Sequence, residues 1–286
     1  MNAINRFTTS LFDVVLVPLE AMGMEIAIIL VSGIFGILGL LIFKQISSQK
    51  GIKAAKDKIK GHMIEIRIYQ DDLTLVTKAI GKVLGRNLQY VCLNFGPFIP
   101  LSIPFVFVLA QMVTRYGYDA APVIEQPMEL LAGEGTTLTI HFKEGSLAAA
   151  GELVIEYPEG LVPTSPLVRI PGQGLAVQEF AATKGGQYEI KLSAGGVTEI
   201  KRYDAVEEGQ EARNRQGQRI SGFWSVLYPV EAAFVDASPF EEISFVYPPS
   251  QLGWLPGEGE AGVLMAFIVA SMLFGIAALK PLGVTI

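Results

Sequence analysis

Three stretches of this chain are apolar without interruption, and the rest alternates with periods that change along its length. Ile26 to Phe43, Val91 to Thr114 and Ala261 to Leu279 contain no charged residue. At about 1.5 Å per residue, a helix over each reaches across the ~30 Å hydrocarbon core of a bilayer. Transmembrane helices are therefore expected over 23–43, 91–114 and 259–280.

Between the first two spans, residues 44–90 read as helical almost throughout. Ile46, Ile52, Ala55 and Ile59 suit one face of a first arm, and Leu73, Val76, Ile80 and Leu84 one face of a second. Two such faces pack together as an antiparallel hairpin. Gly61 and His62 are the expected break, with Asp71 or Asp72 capping the second arm. Met63, Ile64, Ile66, Ile68 and Tyr69 are too apolar for a solvated tip. Ahead of the first span, Phe7, Leu11, Phe12, Val15 and Leu19 recur at helical spacing, which predicts an amphipathic interfacial helix over 1–22.

After the second span the period falls to two. Candidate strands are Val123–Leu131, Thr136–Phe142, Gly151–Glu156, Leu167–Ile170, Ala176–Ala181, Gln187–Leu192 and Val197–Tyr203. Gly133-Glu134-Gly135, Pro158-Glu159-Gly160, Pro171-Gly172, Gly185-Gly186 and Gly195-Gly196 separate them as turns. That density of short strands predicts an immunoglobulin-like β-sandwich over 115–206. Residues 207–258 read as a charged connector and a juxtamembrane β segment, where Trp224, Tyr228, Tyr247 and Trp254 suit the membrane interface. Residues 281–286 form a tail. The expected fold class is a mixed membrane protein: three transmembrane α-helices, a cytoplasmic helical hairpin and an extracytoplasmic all-β domain.

Composition and charge assign the compartments. The chain is 50% hydrophobic and 17% charged, with mean hydropathy +0.41, too apolar for an ordinary soluble domain. Residues 44–90 carry ten Lys or Arg against four acids, whereas 116–260 carry nine against twenty-one. Cytoplasmic loops retain positive charge. The hairpin and C-terminus are thus expected in the cytoplasm and the N-terminus outside, in a bacterial inner membrane. Cys92, the single cysteine, lies in the second span and leaves no disulfide to form.

Candidate chemistry is sparse. His62 and His141 fall in different expected compartments, and no phosphate-binding glycine loop, Cys-x-x-Cys or His-Glu-x-x-His occurs. No catalytic residue, metal site or cofactor is expected. Ser32, Gly33, Gly36 and Gly39 form a small-residue face, either for helix packing or as a notch for a ligand. Pro97, Pro100 and Pro104 interrupt the second span, and Asn94, Ser102 and Gln111 add polar groups to it. These features fit either a kinked helix bonded to its neighbours or a polar cavity. Ser32, Asn94, Ser102 and Gln111 are the candidate groove. Lys50, Lys53, Lys56, Lys58 and Lys60 are a candidate recruitment surface for acidic headgroups or ribosomal RNA.

The order of a first span opening MGMEIAIILV, a Lys-rich helix SSQKGIKAAKDKIKGHMIEIRIY and a Pro-interrupted span NFGPFIPLSIPFVFVLAQM resembles the YidC/Oxa-type membrane insertase superfamily, in its reduced three-span form. The resemblance covers roughly residues 8 to 113 and is one of layout. It implies a groove, open to cytosol and lipid, that lowers the cost of passing polar parts of a substrate into the bilayer. A basic residue often stands in that groove, and this chain has none between Ile26 and Phe43. The expected function is insertase-like or chaperone-like. The alternative is an envelope scaffold whose β-domain binds a protein partner. Expected partners are membrane lipid, nascent membrane proteins or the ribosome, and an extracytoplasmic or membrane protein; DNA is not among them.

Overall fold

The computed structural model describes residues 2–127, 135–207, 210, 213–215 and 217–284. The chain divides into two compact units, Met1–Ile28 with Phe107–Ala266 and Ile29–Val106 with Phe267–Ile286. Three helical stretches are long and apolar enough to cross a membrane: Met24–Ile46, Leu73–Tyr116 and Gly259–Leu282.

The second unit contains α3 (Gln49–Ile68) and α4 (Leu73–Phe95) whole, together with parts of α2 (Met24–Ile46), α5 (Phe98–Tyr116) and α6 (Gly259–Leu282), whose remaining residues belong to the first unit. α3 and α4 are the expected hairpin. They run antiparallel: Gly51 near the start of α3 lies beside Leu93 at the end of α4, and Glu65 near the end of α3 is 3.6 Å from Lys82. The bend differs from expectation. α3 continues through Gly61 and His62, and the turn falls at Tyr69 to Asp72. One glycine costs a helix only about 1 kcal/mol. The stop signal is instead Asp72, whose Oδ1 accepts from the Thr74 and Leu75 amides at 2.9 and 3.1 Å. Ser48 caps α3 in the same way, accepting from Gly51 N at 3.3 Å.

The expected second span is divided between two helices. Val91 to Phe95 complete α4, and the helix breaks at Gly96-Pro97 before α5 starts. Pro100 falls in the first turn of α5, where no backbone donor is needed, whereas Pro104 lies inside the helix. α5 runs antiparallel to α2, since Phe35 stacks near Phe105 and Phe43 near Phe98. α6 runs parallel to α2: Phe35 meets Phe267, and Lys44 Nζ donates to the Leu282 carbonyl at 2.6 Å.

The first unit holds α1 (Asn2–Glu20) and two sheets. One sheet has the order β1 (Ala121–Pro122), β8 (Val197–Val206), β7 (Gly186–Ala194), β3 (Val154–Glu156), with β1 parallel to β8 and the rest antiparallel. The other has the order β4 (Leu161–Pro163), β6 (Leu175–Ala182), β2 (Thr136–Phe142), β10 (Phe240–Phe245), β9 (Arg219–Ile220), with β5 (Val168–Ile170) also on β6. Inward residues of both sheets share one core, including Leu138, Ile140, Phe180, Ile190, Tyr203 and Phe240. Part of the expected strand Val123–Leu131 and most of the turn Gly133-Glu134-Gly135 lie outside the described residues. The short strands β1, β4 and β9 were not among the expected ones. β10 falls in the expected juxtamembrane β segment but sits inside a sheet between β2 and β9. Tyr247 likewise leaves the expected aromatic belt: it is buried in this core, stacked on Tyr203 at 5.7 Å.

Candidate functional site

A cleft of about 530 Å³ opens among α2, α4, α5 and α6 within the second unit. Small residues make the room. On α2, Gly36 and Gly39 line it, and Gly275 faces them from α6. A Cβ on Gly36 would collide with the Ser271 carbonyl, and one on Gly33 would lie 2.6 Å from Phe274. These two glycines therefore set how closely α2 and α6 approach, as expected of a small-residue face in lipid. Gly39 has no such neighbour, since its nearest is Leu101 at 3.8 Å, and it leaves space instead. Phe35, Phe98 and Phe105 wall the cleft, so most of its lining is apolar. Asn94 and Ser271 supply polar groups, and Asn94 Nδ2 donates to the Tyr90 carbonyl at 2.8 Å.

Of the four residues expected in a polar groove, Asn94 alone lines this cleft. Ser32 is buried on α2. Ser102 is exposed on α5 and returns its hydroxyl to the Ile99 carbonyl at 2.7 Å, a local bond that a helical serine forms readily. Gln111 belongs to the first unit, where its amide donates to Thr8 and Thr9 of α1 at 3.2 and 3.1 Å. Helical spacing put all four on apolar helices but did not say which face each would take. Lys50, Lys53, Lys56, Lys58 and Lys60 are all exposed on α3. Met63, Ile64, Ile68 and Tyr69, at the far end of that helix, are exposed as well.

A second concentration of chemistry lies in the first unit. A pocket of about 530 Å³ is lined by Asn5 and Arg6 of α1, by Glu189 and Arg202 on the sheet, and by Arg219 and Glu231. Lys201, fully buried at 0% exposure, donates to Glu231 Oε1 at 2.6 Å and to the Gly217 carbonyl at 2.7 Å. Burial pushes the Lys201 ammonium below its ordinary pKa, and the Glu231 carboxylate opposes that shift. Arg219 pairs with Glu199 at 2.7 Å, donates to the Ala232 and Ile200 carbonyls and lies 4.4 Å over the Phe234 ring. Asp204 is raised above the usual carboxylate range by burial. The signal for Lys201 was present in the chain. Strand alternation places it on the same side as Tyr203 and Ala205, both core residues.

A third cluster ties α1 to the end of α5. Arg115, largely buried, binds the carboxylates of Asp13 and Glu20, and the Tyr116 hydroxyl donates to Glu20 at 2.9 Å. Hydrogen bonding from Arg115 holds the Glu20 carboxyl below the usual range. Arg215 adds a second cation 3.1 Å from Asp13.

Compared with known protein families, characterised proteins and solved structures, the chain matches none. Its function has to be argued from these sites.

Proposed function

We propose that this chain is an insertase-like or chaperone-like protein of a bacterial inner membrane that holds an apolar segment of another membrane protein in the cleft among α2, α4, α5 and α6. The observation that carries this reading is the cleft itself, where Gly39 and Gly275 leave an apolar recess walled by phenylalanines beside Asn94. Helices in lipid associate by close packing and by satisfying polar groups, because lipid tails supply no hydrophobic drive between them. A recess lined by small residues admits a guest helix closely, and Asn94 offers a partner to one polar group on it. The resemblance implied a strongly polar groove. The apolar lining fits a guest that is already helical better than a hydrated strand.

The basic hairpin lies on the cytoplasmic side in this reading, with the N-terminus outside. Two features support that orientation. The Lys-rich helix meets the positive-inside rule, and α2 and α6 are parallel, so the Lys44 and Leu282 ends share a side. Lys50 to Lys60 would recruit the nascent chain or the ribosome that delivers it. Photo-crosslinking in cells tests the proposal, with probes at Gly39 and Asn94 and controls at exposed Ile103 and Leu273. Adducts to many membrane proteins at the first pair alone are the expected result. Lipid adducts alone, or equal protein adducts at the controls, would overturn it.

A second reading, a membrane-anchored scaffold, is favoured by the charged pocket of the β-region. The sheet orders support an immunoglobulin-like sandwich, a common binding architecture. β3, β7 and β8 stand as the C, F and G strands of that fold and β2, β6 and β4 as its B, E and D strands. If a single envelope protein crosslinks at Arg202 and nothing crosslinks at Asn94, this reading replaces the first.

A further inference from the structure

The helix α1 is inside out by the standards of a water-soluble protein. With 3.6 residues per turn, Asn2, Asn5, Thr9, Asp13 and Glu20 share one face, and Ile4, Phe7, Leu11, Val14 and Val15 share the other. The polar face is the one turned to protein. Asn5 is buried and donates to the Ser225 carbonyl at 2.9 Å, and Asn2 Oδ1 accepts from the Ala233 amide at 2.8 Å. Thr9 receives Gln111, while Asp13 and Glu20 receive Arg115. Leu16 is the apolar exception on that side, fully buried. The opposite face is bare: Phe7 is 69% exposed and Val14 75%, with Ile4, Leu11 and Val15 exposed alongside them.

From the polar face, Asn5 connects α1 to another apolar element. The carbonyl it binds belongs to Ser225, in the short 3₁₀ turn Phe223–Leu227. Phe223 and Trp224 of that turn are both about two-thirds exposed, with their rings 5.8 Å apart. In water such a surface would be costly. A helix that directs its amides and carboxylates inward and its aliphatic side chains outward is in its favourable state only when the outer medium is less polar than the inner one.

We infer that the outward face of α1, with Phe223 and Trp224, is a lipid-contact surface that seats the β-region on a membrane leaflet. Three observations choose lipid as the occupant. The face of α1 that bears Ile4, Phe7, Leu11, Val14 and Val15 carries no charge, and the exposed Arg6 lies on the other side, lining the charged pocket. The inward face of α1 is bonded to Gln111 and Arg115 of α5, which ends the Leu73–Tyr116 stretch that is long and apolar enough to cross a membrane. Exposed tryptophan beside aliphatic side chains is the composition of a membrane interface. The inference is independent of the cleft and of any client. It goes beyond the helical pattern of the sequence, which grouped Phe12 and Leu19 with the outward residues and did not include the Phe223-Trp224 turn.

Site-directed spin labelling of the full chain in phosphatidylcholine–phosphatidylglycerol vesicles tests it. Labels enter by Phe7→Cys, Leu11→Cys or Val14→Cys on a Cys92→Ser background. Leu273→Cys on α6 serves as the lipid control and Lys184→Cys as the aqueous control, both exposed. The expected result is high collision with oxygen and low collision with a water-soluble nickel chelate at all three positions, matching Leu273 and severalfold different from Lys184. Nickel accessibility equal to Lys184 overturns the inference. So does low access to both quenchers with spin–spin broadening, which would mean that a second copy covers the face. An independent reading needs no label: in a Trp254→Phe variant, lipid brominated near the headgroup end of its chains quenches Trp224 emission. Absence of quenching there refutes the surface even if a labelled variant fails to fold.

Discussion

Replacing Glu231 with Gln isolates the most demanding electrostatic arrangement in the β-region. Lys201 has no solvent exposure, and among the described residues Glu231 is the only carboxylate that its Nζ bonds at short range. Removing one partner of a buried pair typically costs about 3–5 kcal/mol, because the remaining charge stays desolvated. An upper bound follows from the lysine itself. It can escape by losing its proton, and from an ordinary pKa of 10.5 that escape costs about 5 kcal/mol at pH 7. Both routes agree, and for a unit of this size they predict a melting temperature lower by roughly 6–20 °C. The pH profile carries the sharper test. In Glu231→Gln the folded state holds a neutral Lys201 while the unfolded state binds the proton. Unfolding then takes up a proton, so stability rises with pH until the unfolded lysine also titrates, near 10.5. The deficit relative to wild type should shrink steadily from pH 7 toward 10. Thermal unfolding of the full chain in nanodiscs, followed by tryptophan emission, measures it. Lys201→Met with Glu231→Leu should return close to wild type, since a well-packed apolar pair replaces a buried ion pair at little cost. A Glu231→Gln deficit that is below about 0.5 kcal/mol, or the same at every pH, would show that Lys201 is not a buried charge held by this carboxylate.

The other predictions concern the helices. Arg115→Met takes the guanidinium from Glu20, which keeps only the Tyr116 hydroxyl, and leaves Asp13 with Arg215. Glu20 has a lowered folded pKa, so its stabilisation is present above the ordinary carboxylate value and is lost as pH falls through the lowered one. The variant should be less stable than wild type at pH 7 and converge with it as the pH falls through the lowered Glu20 value, read by the same unfolding assay. Gly36→Leu should separate α2 from α6 and destabilise by about 1–3 kcal/mol, whereas Gly61→Ala, with open space around it, should stabilise α3 by up to about 1 kcal/mol. Helix content on heating distinguishes the two. Asp72→Ala removes the cap of α4 and should cost about 1 kcal/mol, seen as faster amide exchange at Thr74 and Leu75.

Legibility differed between the two kinds of element. Apolar helices were plain in the chain because length and lack of charge suffice to mark them, and α2 and α6 begin and end within a few residues of the expected bounds. β2 was legible residue for residue, since alternation and flanking glycine agree. β10 was hidden because its sequence, FEEISF, reads as a weak edge, while its place between β2 and β9 depends on a pairing about a hundred residues away. The glycines of α2 pointed to close packing, but which of them pack and which leave space depended on α6. Gln111 shows the limit most clearly. A polar residue in an apolar span signals a partner, and nothing in its own neighbourhood shows that the partner is a pair of threonines a hundred residues earlier.

The bond from Asn5 to Ser225 spans 220 residues, and that separation has a consequence in time. α1 is synthesised 220 residues ahead of the turn that accepts its amide. At about 5–20 residues per second the ribosome needs roughly 10–40 s to make the intervening chain. For the first half of that interval Thr9, Asp13 and Glu20 wait for Gln111 and Arg115, and Asn5 waits for the whole of it, while the apolar face of α1 is complete from the start. The order of manufacture thus favours a helix that settles by its outer face early, is tied to Gln111 and Arg115 midway and is locked to the Phe223–Leu227 turn at the end.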